Sequence, residues 1–284
     1  MDFLLASLVD GLLIGSVYGL AAMGLTLIWG VMRVTNLAHG AMIALGMFGV
    51  YGLFNSGLNP YLGLFLVAGG GLLVGMGIYY IALHRVINAP QLSTLLSTFA
   101  VNMIIIGVGT TLFSTSPRNV DFSLGSSSLG PVTVQNTRLI AAAASGAITG
   151  ALYLFLYRTR PGKHIRAVSS NRAAADLMGI NSTRILALSF GLGTMLAASA
   201  GGLIATFFPF TILSGETYQL KSFVIGVMGG LGNPLGALVG GLILGLIEGL
   251  IPVVMPTTWV PVFEFLLFVI ILLVRPSGIL GMKS

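Results

Sequence analysis

The sequence predicts an all-α, polytopic helical membrane protein of about eight transmembrane helices, including one broken or re-entrant segment. Three observations carry this prediction. Of the 284 residues, 56% are hydrophobic and only 7% charged, with a mean hydropathy of +1.00, whereas a soluble domain carries about a quarter charged residues. The apolar runs are long and unbroken, as helices crossing ~30 Å of hydrocarbon require, unlike the short alternating strands of a membrane barrel. Glycine is abundant, at 40 residues, and lets membrane helices approach closely where lipid provides no hydrophobic drive. One transmembrane domain, 1–284, accounts for the length and leaves no room for a soluble enzyme domain.

The first span is Phe3 to Gly30, whose start has no Lys or Arg, unlike a signal peptide. Asn36 is an N-cap candidate for a second span, Leu37 to Phe54, and Asn55 to Pro60 reads as a tight turn. Further spans are Tyr61 to Leu83, Leu92 to Phe113 and Leu139 to Tyr157, with a Ser/Gly/Pro-rich loop, 114–136, before the last of these. A basic loop, 158–184, precedes a sixth span, Ile185 to Phe208. The stretch 222–251 is apolar but broken by Gly229, Gly230, Gly232, Asn233, Pro234 and Gly236. Val260 to Val274 is the last span.

Lys and Arg accumulate on the cytoplasmic side. Residues 158–184 hold six basic residues against Asp176 alone, which places this loop inside and the N-terminus outside. Arg275 and Lys283 place the C-terminus inside as well, provided 222–251 enters from outside, turns near mid-depth and returns. Interrupted membrane helices often line transport pathways, so Gly229, Gly230, Gly232, Asn233, Pro234 and Gly236 are pathway candidates; a packing kink is the alternative. Asn36 and His39 join them, His39 being an ionisable group one turn into the second span that could equally be a neutral ring bonded to a carbonyl. Glu248 and Glu264 are expected at outer helix ends, facing headgroups or a substrate ammonium. Glycines four apart, Gly11-Gly15-Gly19 and Gly241-Gly245-Gly249 among them, point to close helix packing.

Within 158–184, Ser169, Ser170 or Asn171 can cap a short helix, Arg172 to Met178, and Gly179 suits its C′ position. Ala174, Leu177 and Met178 share one side of it. Such a helix suits a groove on a partner protein, with Arg172, Ala174, Ala175, Leu177, Met178 and Gly179 coupling the two; an anchor to anionic lipid headgroups is the alternative.

Absent cysteine excludes disulfides and thiolate chemistry. Three scattered His and seven carboxylates disfavour a metal centre, and neither a cofactor nor a nucleic-acid partner is expected. Gly162-Lys163 is followed by His164, so the phosphate-binding loop of an ATPase is missing.

The spacing Arg160-Pro-Gly162, Arg166-Ala167, Asn171, Ala174-Ala175, Gly179-Ile180-Asn181 resembles the cytoplasmic coupling loop of branched-chain amino acid ABC importer permeases. Asn36-Leu-Ala-His-Gly40 and Gly229-Gly-Leu-Gly-Asn-Pro-Leu-Gly236 agree in order and spacing, so the likeness covers nearly the whole chain. It resembles the smaller, high-affinity H-type subunit, with Leu37 where Phe is common and Asn233 where Ser is common. The resemblance implies a bacterial inner-membrane permease paired with a homologous second permease. Two cytoplasmic ATP-binding subunits would drive it, and a periplasmic binding protein would deliver branched-chain amino acids; lipid is its other partner. The competing readings are a passive channel and a secondary transporter for a small polar solute such as urea; the latter usually carries carboxylates deep in its spans.

Overall fold

The computed structural model describes residues 2–129 and 132–281. Lys283, one of the residues behind the expected sidedness, lies outside them. The α-helices are α1 (Asp2–Met32), α2 (His39–Asn55), α3 (Pro60–Ile78), α4 (Gln91–Phe113), α5 (Asn136–Arg158), α6 (Arg160–Ser170), α7 (Arg172–Leu177), α8 (Ser182–Ile204), α9 (Ser214–Gly229), α10 (Pro234–Val254) and α11 (Val260–Val274). A π-helical turn, Tyr79–Leu83, prolongs α3, and β1 (Ser126–Leu129) pairs antiparallel with β2 (Val132–Gln135).

Among the described residues, seven helices are long and apolar enough to cross a membrane: α1, α3 with its π turn, α4, α5, α8, α10 and α11. The short ones, α2 and α9, have 17 and 16 residues and reach ~25 Å at 1.5 Å per residue. The expected eight spans thus become seven full-length helices and two shorter ones.

Helices α1 and α8 form the centre, with 83% and 89% of their apolar windows buried, against 11% for α11. Glycine explains the depth of packing. Gly11, Gly15 and Gly19 of α1 lie directly on the backbone of Gly245, Gly241 and Leu238 of the antiparallel α10. On α8, Ser189, Thr194 and Ser199 each return their hydroxyl to the carbonyl four residues back, so no buried donor is left unpaired there. Replacing Gly245 with Leu would drive a side chain into the Gly11 carbonyl; Gly146 on α5 faces open space. Size-exclusion chromatography in detergent should therefore show loss of monodisperse protein for Gly245→Leu and a normal peak for Gly146→Leu.

One end of the bundle gathers the ends of α1 and α5, helices α6 and α7, and residues 275–281. Ser169 Oγ donates to the Gly30 carbonyl at 2.7 Å, Arg172 reaches Asn88 Oδ1 at 3.1 Å, and Asn233 Nδ2 donates to the Leu280 carbonyl at 2.8 Å. This corrects the mid-depth turn expected in 222–251. The break is Gly230–Asn233, and Gly232 lies against Gly30 at this same end. Helix α9 starts eight residues before Ser222 and descends to the end of the bundle, and α10 returns the full distance.

Two further elements differ from the sequence reading. The loop 114–136 contains the β1–β2 pair, in which Val132 and Val134 are buried; the serines of β1 gave no alternation to read. The basic run 160–170 is a helix, capped by Thr159 Oγ1 accepting from Gly162 N, with Gly162, Ile165 and Val168 buried.

Candidate functional site

The interior of the bundle contains an unwound segment. Met32 ends α1, Arg33 adopts a left-handed φ of 54°, and residues 34–38 run back into the protein. There Leu37 N donates to Thr98 Oγ1 at 3.2 Å, and Thr98 Oγ1 lies 3.4 Å from the Thr35 carbonyl. Asn36 is not the N-cap of α2: its Oδ1 accepts from Ala38 N at 3.0 Å, a local turn, and α2 starts at His39 with no side-chain cap. His39 Nε2 is 2.9 Å from the Ala21 carbonyl. Ala21 lies 11 residues before Met32, or ~16 Å along α1, so His39 is near mid-depth and not one turn from the end.

The first turns of the two short helices meet at this level. Gly40 N donates to Gln219 Oε1 at 3.1 Å, and the Gly40 and Gly215 backbones touch. Asn36 Nδ2 and His39 Nδ1 are buried without a hydrogen-bond partner. Gln219 and Thr98 were not singled out from sequence, because neither lies near Asn36 or His39 in the chain.

The glycine turn is a separate place. Gly230 and Gly232 have φ of 104° and 87°, Asn233 Oδ1 caps α10 by accepting from Leu235 N at 3.1 Å and Gly236 N at 3.3 Å, and Pro234 occupies its first turn. Gly229 and Gly236 pack backbone to backbone. With Arg166 and Ser169 of α6, Gly232, Asn233 and Pro234 line a cavity of about 140 Å³. The structure therefore divides the pathway candidates. Asn36 and His39 sit inside the bundle, and the 229–236 group sits beside α6.

Helix α7 is capped at both ends. Asn171 Oδ1 accepts from Ala174 N at 3.0 Å. Gly179, at φ 80°, closes the other end, with Gly179 N donating to the Asp176 carbonyl and Ile180 N to the Ala175 carbonyl. Arg172 Nε donates to Ser182 Oγ at 3.2 Å, and Ser182 donates through both its N and its Oγ to Asp176, fixing α7 on the start of α8. Leu177 and Met178 are 89% and 82% exposed, and Ala174 is exposed beside them, whereas Ala175 is 4% exposed and faces the protein's own core. Ala175 is thus corrected from docking face to internal packing.

A buried charge cluster lies in the half of the bundle away from α7. Lys221 Nζ is 2.6 Å from Glu248 Oε2 and 3.5 Å from Glu264 Oε1, the latter an ion pair without a hydrogen bond. Tyr18 Oη donates to Glu248 Oε1 at 3.2 Å, and its ring lies under Lys221. Glu248 and Glu264 therefore face each other's helices across a shared cation, not headgroups. Nearby, Arg138 pairs with Asp10. Asp10, Arg138, Glu248 and Glu264 each stand alone beside or within an apolar run, and Lys221 follows Glu216 in a polar stretch, so the sequence shows none of these pairings.

The sequence model of the family described as branched-chain amino acid transport system, permease component, matches residues 7–274. The chain is 31% identical to the high-affinity branched-chain amino acid transport system permease protein LivH of Escherichia coli K12, over 98% of this chain and 96% of that protein. It is 30% identical to the corresponding BraD protein of Pseudomonas aeruginosa, over 98% and 95%. A solved structure of PsaBC from Streptococcus pneumoniae bound to a Fab shares the fold, with a TM-score of 0.52 at 16% identity over 94% of this chain and 91% of that one. The unwound segment, the paired short helices and the doubly capped surface helix are thus features of a chain that belongs to the family of branched-chain amino acid transport system permease components.

Proposed function

We propose that this chain is the permease subunit of an ATP-binding-cassette importer for branched-chain amino acids. It would share the pathway with a homologous second permease, receive substrate from a periplasmic binding protein and be driven by two cytoplasmic ATP-binding subunits. The observation that carries this reading is α7, a six-residue helix too short to hold itself in water. Its caps keep it ordered, and it presents Leu177 and Met178 uncovered. Docked on an ATP-binding subunit, this face would move α7, and Arg172, Gly179 and Asp176 would pass the motion to α8. Ser169 and the Gly229–Gly236 turn offer a second route into α1 and α10. Asn36, His39 and Gln219, where the two short helices start, supply the polar interior that a low-affinity pathway needs.

The bacterial inner membrane is the proposed location, with the end bearing α6 and α7 cytoplasmic, the N-terminus periplasmic and the C-terminus cytoplasmic. Single cysteines at Ser127 and Ser170, both exposed and at opposite ends, should label from opposite sides of intact membranes. Labelling of both from outside would contradict this orientation. Gly232→Leu should insert normally but lower uptake, because a side chain there meets Gly30 Cα at 3.2 Å and a left-handed backbone costs it about 1–2 kcal/mol. The reading as a whole is tested by ATP hydrolysis in the reconstituted complex. Hydrolysis should rise with leucine-loaded binding protein when this chain is present, and a rise without it would refute the assignment.

A further inference from the structure

The basic segment has a second face, separate from α7. Arg160 and His164 of α6 and Arg184 of α8 line one open cavity of about 410 Å³, between the inner ends of α3 and α8. Its floor is apolar, formed by Met76, Ile185 and Leu188. Among the described residues, none of the three basic side chains has a carboxylate or hydrogen-bond partner, so two permanent positive charges stand side by side without a counter-charge.

The same face of α8 continues past the cavity. Ile185, Leu188, Leu192, Met195 and Ser199 recur at helical spacing, and the last three form the floor of an apolar groove of about 680 Å³ walled by α3 and α5. From Ile185 to Ser199 this face runs ~21 Å, longer than the ~15 Å of one hydrocarbon leaflet. The basic cavity and the apolar groove thus follow one another along the same face of α8.

We propose that this cavity and groove hold one anionic phospholipid, with the phosphate on Arg160, His164 and Arg184 and an acyl chain along α8. Charge complementarity selects the anionic headgroup, since basic pockets between membrane helices favour it. The apolar floor selects a lipid over a free anion, which would gain nothing from Met76 or Leu188. The site does not depend on the transport reading, only on this end of α3 and α8 lying at a membrane surface.

The test is native mass spectrometry of the delipidated complex, titrated with phosphatidylglycerol or phosphatidylcholine. The wild type should retain one phosphatidylglycerol in at least tenfold preference. Arg160→Gln with Arg184→Gln should remove the preference, whereas Lys163→Gln, on α6 but outside the cavity, should keep it. Leu188→Trp, which fills the floor and leaves every charge in place, should also lower retention and separates a site from general attraction. Equal retention of both lipids by the wild type would overturn the proposal. So would an unchanged preference in the double arginine variant, or retention by the isolated chain that vanishes in the complex, which would mean that another subunit covers the groove. Circular dichroism and a monodisperse elution peak establish that each variant is folded.

Discussion

Replacing Leu177 and Met178 together with Ala is expected to leave the permease inserted and folded while cutting substrate-stimulated ATP hydrolysis and uptake in parallel. Both side chains are almost fully exposed, so nothing in the chain's own fold depends on them. Seated in a partner's groove they would contribute about 3 kcal/mol, at ~1.5 kcal/mol each, roughly a hundredfold in affinity. Co-purification of the ATP-binding subunits measures the loss directly. Gly179→Val should give the same phenotype by another route, because its φ of 80° disfavours a β-branched residue. Ala175→Asp would not discriminate, since Ala175 is buried within the chain and a charge there would disrupt α7 itself. If the loop instead anchored to headgroups, Arg158→Gln with Lys163→Gln would cut uptake and the Leu177/Met178 variant would be silent.

The second large effect is expected at Lys221. Its ammonium is the only cation between Glu248 and Glu264 among the described residues, and all three side chains are mostly buried, at 15%, 24% and 6% exposure. Lys221→Met would leave two carboxylates facing each other in a medium of low dielectric. Breaking a buried pair in this way costs about 3–5 kcal/mol, so the thermal midpoint in detergent should fall steeply. Adding Glu248→Gln and Glu264→Gln to Lys221→Met removes the stranded charges and should restore most of the stability. A Lys221→Met protein as stable as the wild type would mean that water reaches the cluster.

Much of the architecture was readable because membrane spans announce themselves by length and composition, and because α7 carries its caps as named residues. Asn171 and Gly179 each do what their chemistry suggests. Depth was harder. The run from Leu37 looked like an ordinary second span, and only the bond from His39 to the Ala21 carbonyl shows that α2 starts inside the bundle. Likewise the glycines around Gly232 mark a tight turn, but nothing local fixes where along the bundle it lies; Gly30 and Leu280, distant in sequence, do that. Pairings such as Lys221 with Glu248 or Ser169 with Gly30 are tertiary and leave no local trace. Helix α6 was missed for a different reason, since its three-residue buried stripe of Gly162, Ile165 and Val168 is diluted by charge.

The measurement that bears most directly on the proposed transport role is accumulation of labelled leucine by proteoliposomes containing this chain, its companion permease and the ATP-binding subunits, with binding protein supplied on the periplasmic face. Uptake should exceed the equilibrium level, require ATP on the α7 side, and be lost with the Leu177/Met178 variant. Leucine that equilibrates across the membrane without ATP, at the same rate with and without that variant, would show a passive channel and contradict the account.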